Sequence, residues 1–144
     1  MIYALYAAVV LVLIGCDQLL KSWTVSHLAL GESTAFLPGF LQLTRIHNYG
    51  AAWSSFSGKT VLLIAVTAVL LIAVVYLLVR RIVRHPLGIA AALLILGGGV
   101  GNIIDRIANG YVVDMFDLLL FNYPVFNLAD CFVVVGVILG AVYY

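Results

Sequence analysis

The chain has 144 residues, of which 65% are hydrophobic and 9% charged, and a formal net charge of +1. Soluble domains are about one quarter charged, so this composition excludes a water-exposed globule and makes lipid the main solvent. The small net charge gives no basis for nucleic-acid binding, and the length suits one domain, taken here as residues 1–144.

Four apolar segments follow along the chain, at about 2–20, 60–79, 87–104 and 128–144. Each is close to the ~20 residues that a spanning helix needs. The first contains Leu13-Ile14-Gly15-Cys16, which looks like the cleavage box of a bacterial lipoprotein. A removable signal peptide carries basic residues ahead of its apolar stretch; none stands there, so the segment reads as a helix that stays. Cys16 and Cys131 lie inside apolar runs without metal-ligand spacing and read as small buried hydrophobes.

The segment at 21–59 is too long for a turn. Phe40-Leu41-Gln42-Leu43-Thr44-Arg45-Ile46-His47 alternates as a strand does, and Pro38-Gly39 marks a turn before it. It reads as a small β-element resting on the bilayer surface. The second apolar segment has no charge and no glycine. It runs into Arg80-Arg81-Ile82-Val83-Arg84-His85-Pro86, whose three arginines place the loop at 80–86 in the cytoplasm. Four spans then put both termini in the cytoplasm and 21–59 and 106–127 outside. The third segment carries Gly97, Gly98, Gly99 and Gly101, which let neighbouring helices approach closely. Asn109-Gly110 is a further turn signal. Tyr143 and Tyr144 close the fourth segment as interfacial anchors. The fold class is therefore an all-α, four-helix transmembrane bundle with a small extracytoplasmic β-element and an outer surface segment.

Five aspartates bear on chemistry. With a rise of 1.5 Å per residue, Asp17 lies roughly 24 Å along the first helix, Asp105 roughly 28 Å along the third, and Asp130 roughly 21 Å from the cytoplasmic end of the fourth. In a hydrocarbon core about 30 Å thick, the three meet at one level near the outer face, with Asp114 and Asp117 on the adjoining link. Ionisable groups at that depth are functional candidates by default. Asp105, followed by Arg106, reads as a pairing or capping group. Asp17, on one helical turn with Gln18 and Lys21, reads as a structural hydrogen-bonding group, and Asp117 as a surface acid. Asp114 and Asp130 have no basic neighbour in sequence. Two such carboxylates in a low-dielectric site share one proton, which supports acid–base hydrolysis of a peptide bond. An ion relay through Asp17, Asp105 and Asp130 and a metal site that adds His27 and His47 are the rival readings; the acids gather at one face, and the histidines have no recognised ligand spacing.

At these residues the sequence resembles the lipoprotein signal peptidases, the bacterial type II signal peptidase family. The matching stretches are Asp17-Gln18-Leu19-Leu20-Lys21, His47-Asn48-Tyr49-Gly50-Ala51-Ala52-Trp53, Gly98-Gly99-Val100-Gly101-Asn102-Ile103-Ile104-Asp105-Arg106, Val112-Val113-Asp114 and Phe126-Asn127-Leu128-Ala129-Asp130. The resemblance implies an intramembrane aspartic peptidase with Asp114 and Asp130 as its dyad. Asp17, Asn48, Gly50, Asn102, Arg106 and Asn127 would support the dyad or hold substrate. It implies cleavage just before the diacylglyceryl-modified cysteine of a prolipoprotein, in the bacterial cytoplasmic membrane, in contact with membrane lipid and without metal or organic cofactor; one set of site residues per chain suggests that a monomer suffices. Trp53 reads as an interfacial anchor.

Overall fold

The computed structural model describes residues 1–50 and 58–143. Its elements are α1 (Ile2–His27), β1 (Ser33–Leu37), β2 (Leu41–Asn48), α2 (Thr60–Val79), α3 (Pro86–Asn109), β3 (Val112–Leu118) and α4 (Leu128–Tyr143). Ala51, Ala52, Trp53 and Tyr144 lie outside the described residues.

α1 continues to His27, not to residue 20 as its apolar run suggests. No glycine or proline interrupts the added turns. Asp17, Lys21 and Thr24, spaced four and three apart, form one buried stripe along them. Only this face is covered, so Cys16 is exposed at the bundle's outer surface and not buried as expected. α3 starts with Pro86 in its first turn, where His85 accepts the Leu87 N–H, and stops at Gly110 in a left-handed conformation.

α1, α2 and α4 all pack on α3, and α2 and α4 barely meet. Close approach to α3 depends on its glycines. A methyl group at Gly98 would collide with the Ala129 carbonyl oxygen, and one at Gly101 would stand 2.7 Å from Asp17 Oδ2. Across the same contact, a methyl at Gly136 of α4 would stand 2.8 Å from the Ala91 carbonyl oxygen. α2 turns most of its valines, leucines and isoleucines outward, as a lipid-facing helix does. α1, α2 and α3 are long and apolar enough to cross a membrane; α4, with 16 residues, is shorter. The protein is thus mainly helical with several membrane-length helices, and it carries a sheet larger than expected.

The sheet is antiparallel in the order β1-β2-β3. β2 is the strand that alternation foretold, and the turn before it includes Gly39 at φ 76°. β1 and β3 were not expected. β1 is exposed on both faces and β3 is buried on both over Val112–Met115, so neither shows the period of two that betrays a half-buried strand. Leu43, Val113 and Met115 pack with Leu28 to seat the sheet at the C-terminal end of α1. β3 brings Asp114 opposite Ile46 and Val112 opposite Asn48.

Candidate active site

Asp114 and Asp130 come from β3 and from the first turn of α4, and a single residue ties them together. Asn127 stands just before α4. Its Nδ2 donates to Asp114 Oδ1 at 2.7 Å, and its backbone N–H donates to Asp130 Oδ2 at 3.2 Å. The Asp130 N–H in turn donates to Asn127 Oδ1 at 2.9 Å. That exchange is a capping box: the residue before the helix and the residue three further on satisfy each other's free N–H groups. Asp130 therefore caps α4 as well as facing the cavity. The spacing Asn127-Leu128-Ala129-Asp130 carried that signal in the sequence.

The remaining oxygens of the pair are also held. Asn48 Nδ2 donates to Asp114 Oδ2 at 2.9 Å, and Asn102 Nδ2 to Asp130 Oδ1 at 2.8 Å. Asn127 Nδ2 makes a second, longer contact with Asn102 Oδ1 at 3.1 Å. Asp114 is 2% exposed. Burial, and then the charge of Asp130, push its carboxyl from 3.8 up to about 7; the bonds from Asn48 and Asn127 and the charge of Lys21 act in the opposite sense. Near neutral pH the Asp114 carboxyl is therefore poised between its protonated and ionised forms.

Both open onto one cavity of about 390 Å³. Asn48, Asn102, Arg106 and Asn127 supply its polar wall. Thr67, Leu70 and Leu71 of α2 and Val133 and Val134 of α4 supply an apolar one. Arg106 Nη2 donates to the Gly50 carbonyl at 2.9 Å, while the Gly50 N–H donates to Asn48 Oδ1 at 2.9 Å. Asn48 and Arg106 thus fix the chain at Gly50 beside the cavity.

Asp17 and Asp105 sit behind the pair. Asp17 Oδ1 accepts the Ala129 N–H at 3.0 Å, which anchors α4 one residue before Asp130. Asp105 Oδ2 accepts the Val113 N–H at 3.0 Å, one residue before Asp114. The expected partner of Asp105 was Arg106; its ion pair is instead with Lys21, at 3.1 Å, and Lys21 also pairs with Asp17 at 2.8 Å. So the structure brings all eight candidate residues to one locality: seven, Gly50 included, stand around the cavity, and Asp17 lies beneath it together with Asp105. Lys21, noted in sequence only as a neighbour of Asp17, is the residue that reading undervalued. Its spacing of four from Asp17 was the available sign.

Asp117 lies further along β3, where Gln42 and Thr44 donate to its Oδ2 at 2.7 and 2.9 Å. His27 stacks on Trp23 and His47 on Tyr111. Among the described residues, no three His, Cys, Asp or Glu gather in a way that could hold a metal ion.

The chain is also similar to known proteins. The family model described as signal peptidase (SPase) II matches residues 9–144. A lipoprotein signal peptidase of Enterococcus faecalis is 40% identical over 138 residues, covering 96% of this chain and 86% of that protein. One from Lactiplantibacillus plantarum is 43% identical over 136 residues, covering 93% and 89%. A solved bacterial membrane enzyme superposes with a TM-score of 0.92 at 32% identity, covering 97% of this chain and 87% of the other.

Proposed function

Because this chain belongs to the signal peptidase II family, we propose that it removes signal peptides from prolipoproteins by aspartic hydrolysis at Asp114 and Asp130. The observation that carries the assignment is Asn127, which bonds both carboxylates at the wall of one cavity.

The pair enters the reaction with one proton. The ionised carboxylate takes a proton from a water, whose oxygen attacks the scissile carbonyl carbon. The protonated carboxyl gives its proton to the carbonyl oxygen. The tetrahedral diol then collapses: the C–N bond breaks, a proton returns through the pair to the leaving nitrogen, and the pair again holds one proton. Asn48, Asn102 and Asn127 hold the carboxylates so that this exchange needs little rearrangement. Arg106 fixes Gly50, where an extended peptide meets little side-chain bulk.

The substrate reaches the dyad sideways. α2 and α4 barely touch, and the cavity shows apolar side chains of both helices. A diacylglyceryl chain can stay in lipid against that wall while the peptide bond before the modified cysteine lies over the dyad. α4, about 24 Å long at 16 residues, makes the fourth crossing with Tyr143 at its cytoplasmic interface. Both termini and the arginines at 80–84 then face the cytoplasm. The chain acts as a single unit and a monomer in the bacterial cytoplasmic membrane, with the sheet on the outer surface.

The reading is tested with a synthetic precursor peptide carrying a diacylglyceryl cysteine and with the same peptide unlipidated. Mass spectrometry should show scission immediately before the modified cysteine and little turnover of the unlipidated peptide. Equal cleavage of both, or scission elsewhere, overturns the substrate assignment.

A further inference from the structure

Beneath the dyad lies a charge that the hydrolysis just described does not use. Lys21 is 3% exposed, and its ammonium has three acceptors: Asp17 Oδ2 at 2.8 Å, Asp105 Oδ2 at 3.1 Å and Asn102 Oδ1 at 3.1 Å. Two carboxylates already balance the cation. The third bond goes to a neutral amide whose other end holds Asp130.

A primary amide has one accepting and one donating end, whereas an ammonium only donates. With Lys21 on its oxygen, the Asn102 amide cannot turn over, because the turned form would set Nδ2 against Nζ, donor against donor. Asn102 Nδ2 is thereby kept on Asp130 Oδ1 at 2.8 Å. Asn102 Oδ1 also receives Asn127 Nδ2 at 3.1 Å, and that same nitrogen reaches Asp114 Oδ1 at 2.7 Å. The polarity set at Asn102 is therefore passed to Asn127. Turning Asn127 over would place its oxygen against Asn102 Oδ1 and against a carboxylate.

We propose that Lys21 is a positioning residue for the hydrolysis: through Asn102 and Asn127 it fixes both amides with their N–H groups on Asp130 and Asp114. This rests on the dyad assignment above. The charged groups around the pair are Lys21 and Asp17 of α1 and Arg106 and Asp105 of α3, with no charged side chain from α2 on the cavity wall. Of these, Lys21 acts on the dyad both through the amide bonds and through its charge, which favours ionised Asp114.

The test compares wild type, Lys21→Met and the double variant Asp17→Asn with Lys21→Met. Removing the ammonium alone leaves two buried carboxylates unbalanced, which strongly destabilises a protein. The double variant removes one of them and so should be less destabilised than Lys21→Met. Each is purified in detergent, checked by thermal melting, and assayed on the lipidated precursor peptide. Wild-type cleavage and an inert Asp130→Asn protein establish the dyad separately, so failure there counts against the proposed function and not against Lys21. In the folded variants kcat should fall about tenfold or more with KM nearly unchanged, since misplaced catalytic groups cost rate and not binding. In Lys21→Met the alkaline limb of the pH–rate profile, which Asp114 governs, should also move to higher pH. A purely structural lysine would lower the melting temperature and leave kcat per folded molecule and that limb in place. That result overturns the proposal, and so does failure of both variants to fold.

Discussion

Asn127 and Asp130 hold each other across the first turn of α4, each accepting the other's backbone N–H on a side-chain oxygen. The cap that starts the helix is thus also the frame of the proposed catalytic pair, because the free end of the Asn127 amide reaches Asp114. On the proposed function, stability and catalysis are coupled at this residue. Asn127→Ala is expected to lose about 1 kcal/mol of stability from the cap and nearly all activity. Asn127→Asp keeps an accepting oxygen for the cap but loses the donor to Asp114 and adds a third carboxyl to the cavity. It should fold and be inactive. Melting curves beside peptide cleavage check both, and an active Asn127→Asp protein would contradict the role given to the amide.

Asp114 makes folding depend on pH in a stated direction. Its carboxyl titrates at about 7 in the folded protein, against 3.8 ordinarily. The folded state binds this proton more tightly than the unfolded chain. Its stabilising contribution is therefore complete below the unfolded value and is lost as pH rises through the folded one. Wild-type melting temperature should fall between about pH 4 and pH 7 relative to Asp114→Asn, whose amide does not titrate. Parallel melting curves for the two proteins across this range would refute the assignment. Catalysis should decline on the alkaline side near the same value, as the pair loses its shared proton.

Gly98 sets the distance between α3 and α4, and with it the reach of Asn102 to Asp130. Gly98→Ala puts a methyl group into the Ala129 carbonyl and should destabilise by about 1–3 kcal/mol, with cleavage lost. At Gly140 the nearest atom to an added methyl is 3.9 Å away, so Gly140→Ala should be nearly silent. Equal effects of the two substitutions on melting and cleavage would rule out this packing argument.

Asp117 is the acid on β3 that should not matter for rate. Its carboxylate receives Gln42 and Thr44 within the sheet, and it does not line the cavity. Asp117→Asn retains an accepting oxygen, and cleavage should stay within about twofold of wild type, as for most substitutions away from special features. A loss as large as that of Asp114→Asn would mean that the wrong residue of β3 has been assigned.

Much of this was legible in the chain. The apolar runs marked the helices, Gly97–Gly101 marked the close packing of α3, and the depth of the aspartates brought Asp17, Asp105 and Asp130 to one level. What escaped had specific causes. The end of α1 carries Lys21 and Thr24, polar residues that hydropathy assigns to water and that the bundle buries. β3 is covered on both faces where Asp114 sits, so no alternation announced it. Local sequence offered Arg106 as the partner of Asp105, whereas the fold supplied Lys21 from another helix. The capping box at Asn127 and Asp130 is written in their spacing of three.

The most direct measurement is cleavage of the lipidated precursor peptide by wild type, Asp114→Asn and Asp130→Asn, each purified as folded, membrane-inserted protein. The account requires that wild type release the signal peptide and that each single variant release essentially none, since neither carboxyl alone can both take a proton from water and give one to the carbonyl. Turnover at the wild-type rate by either variant would contradict it.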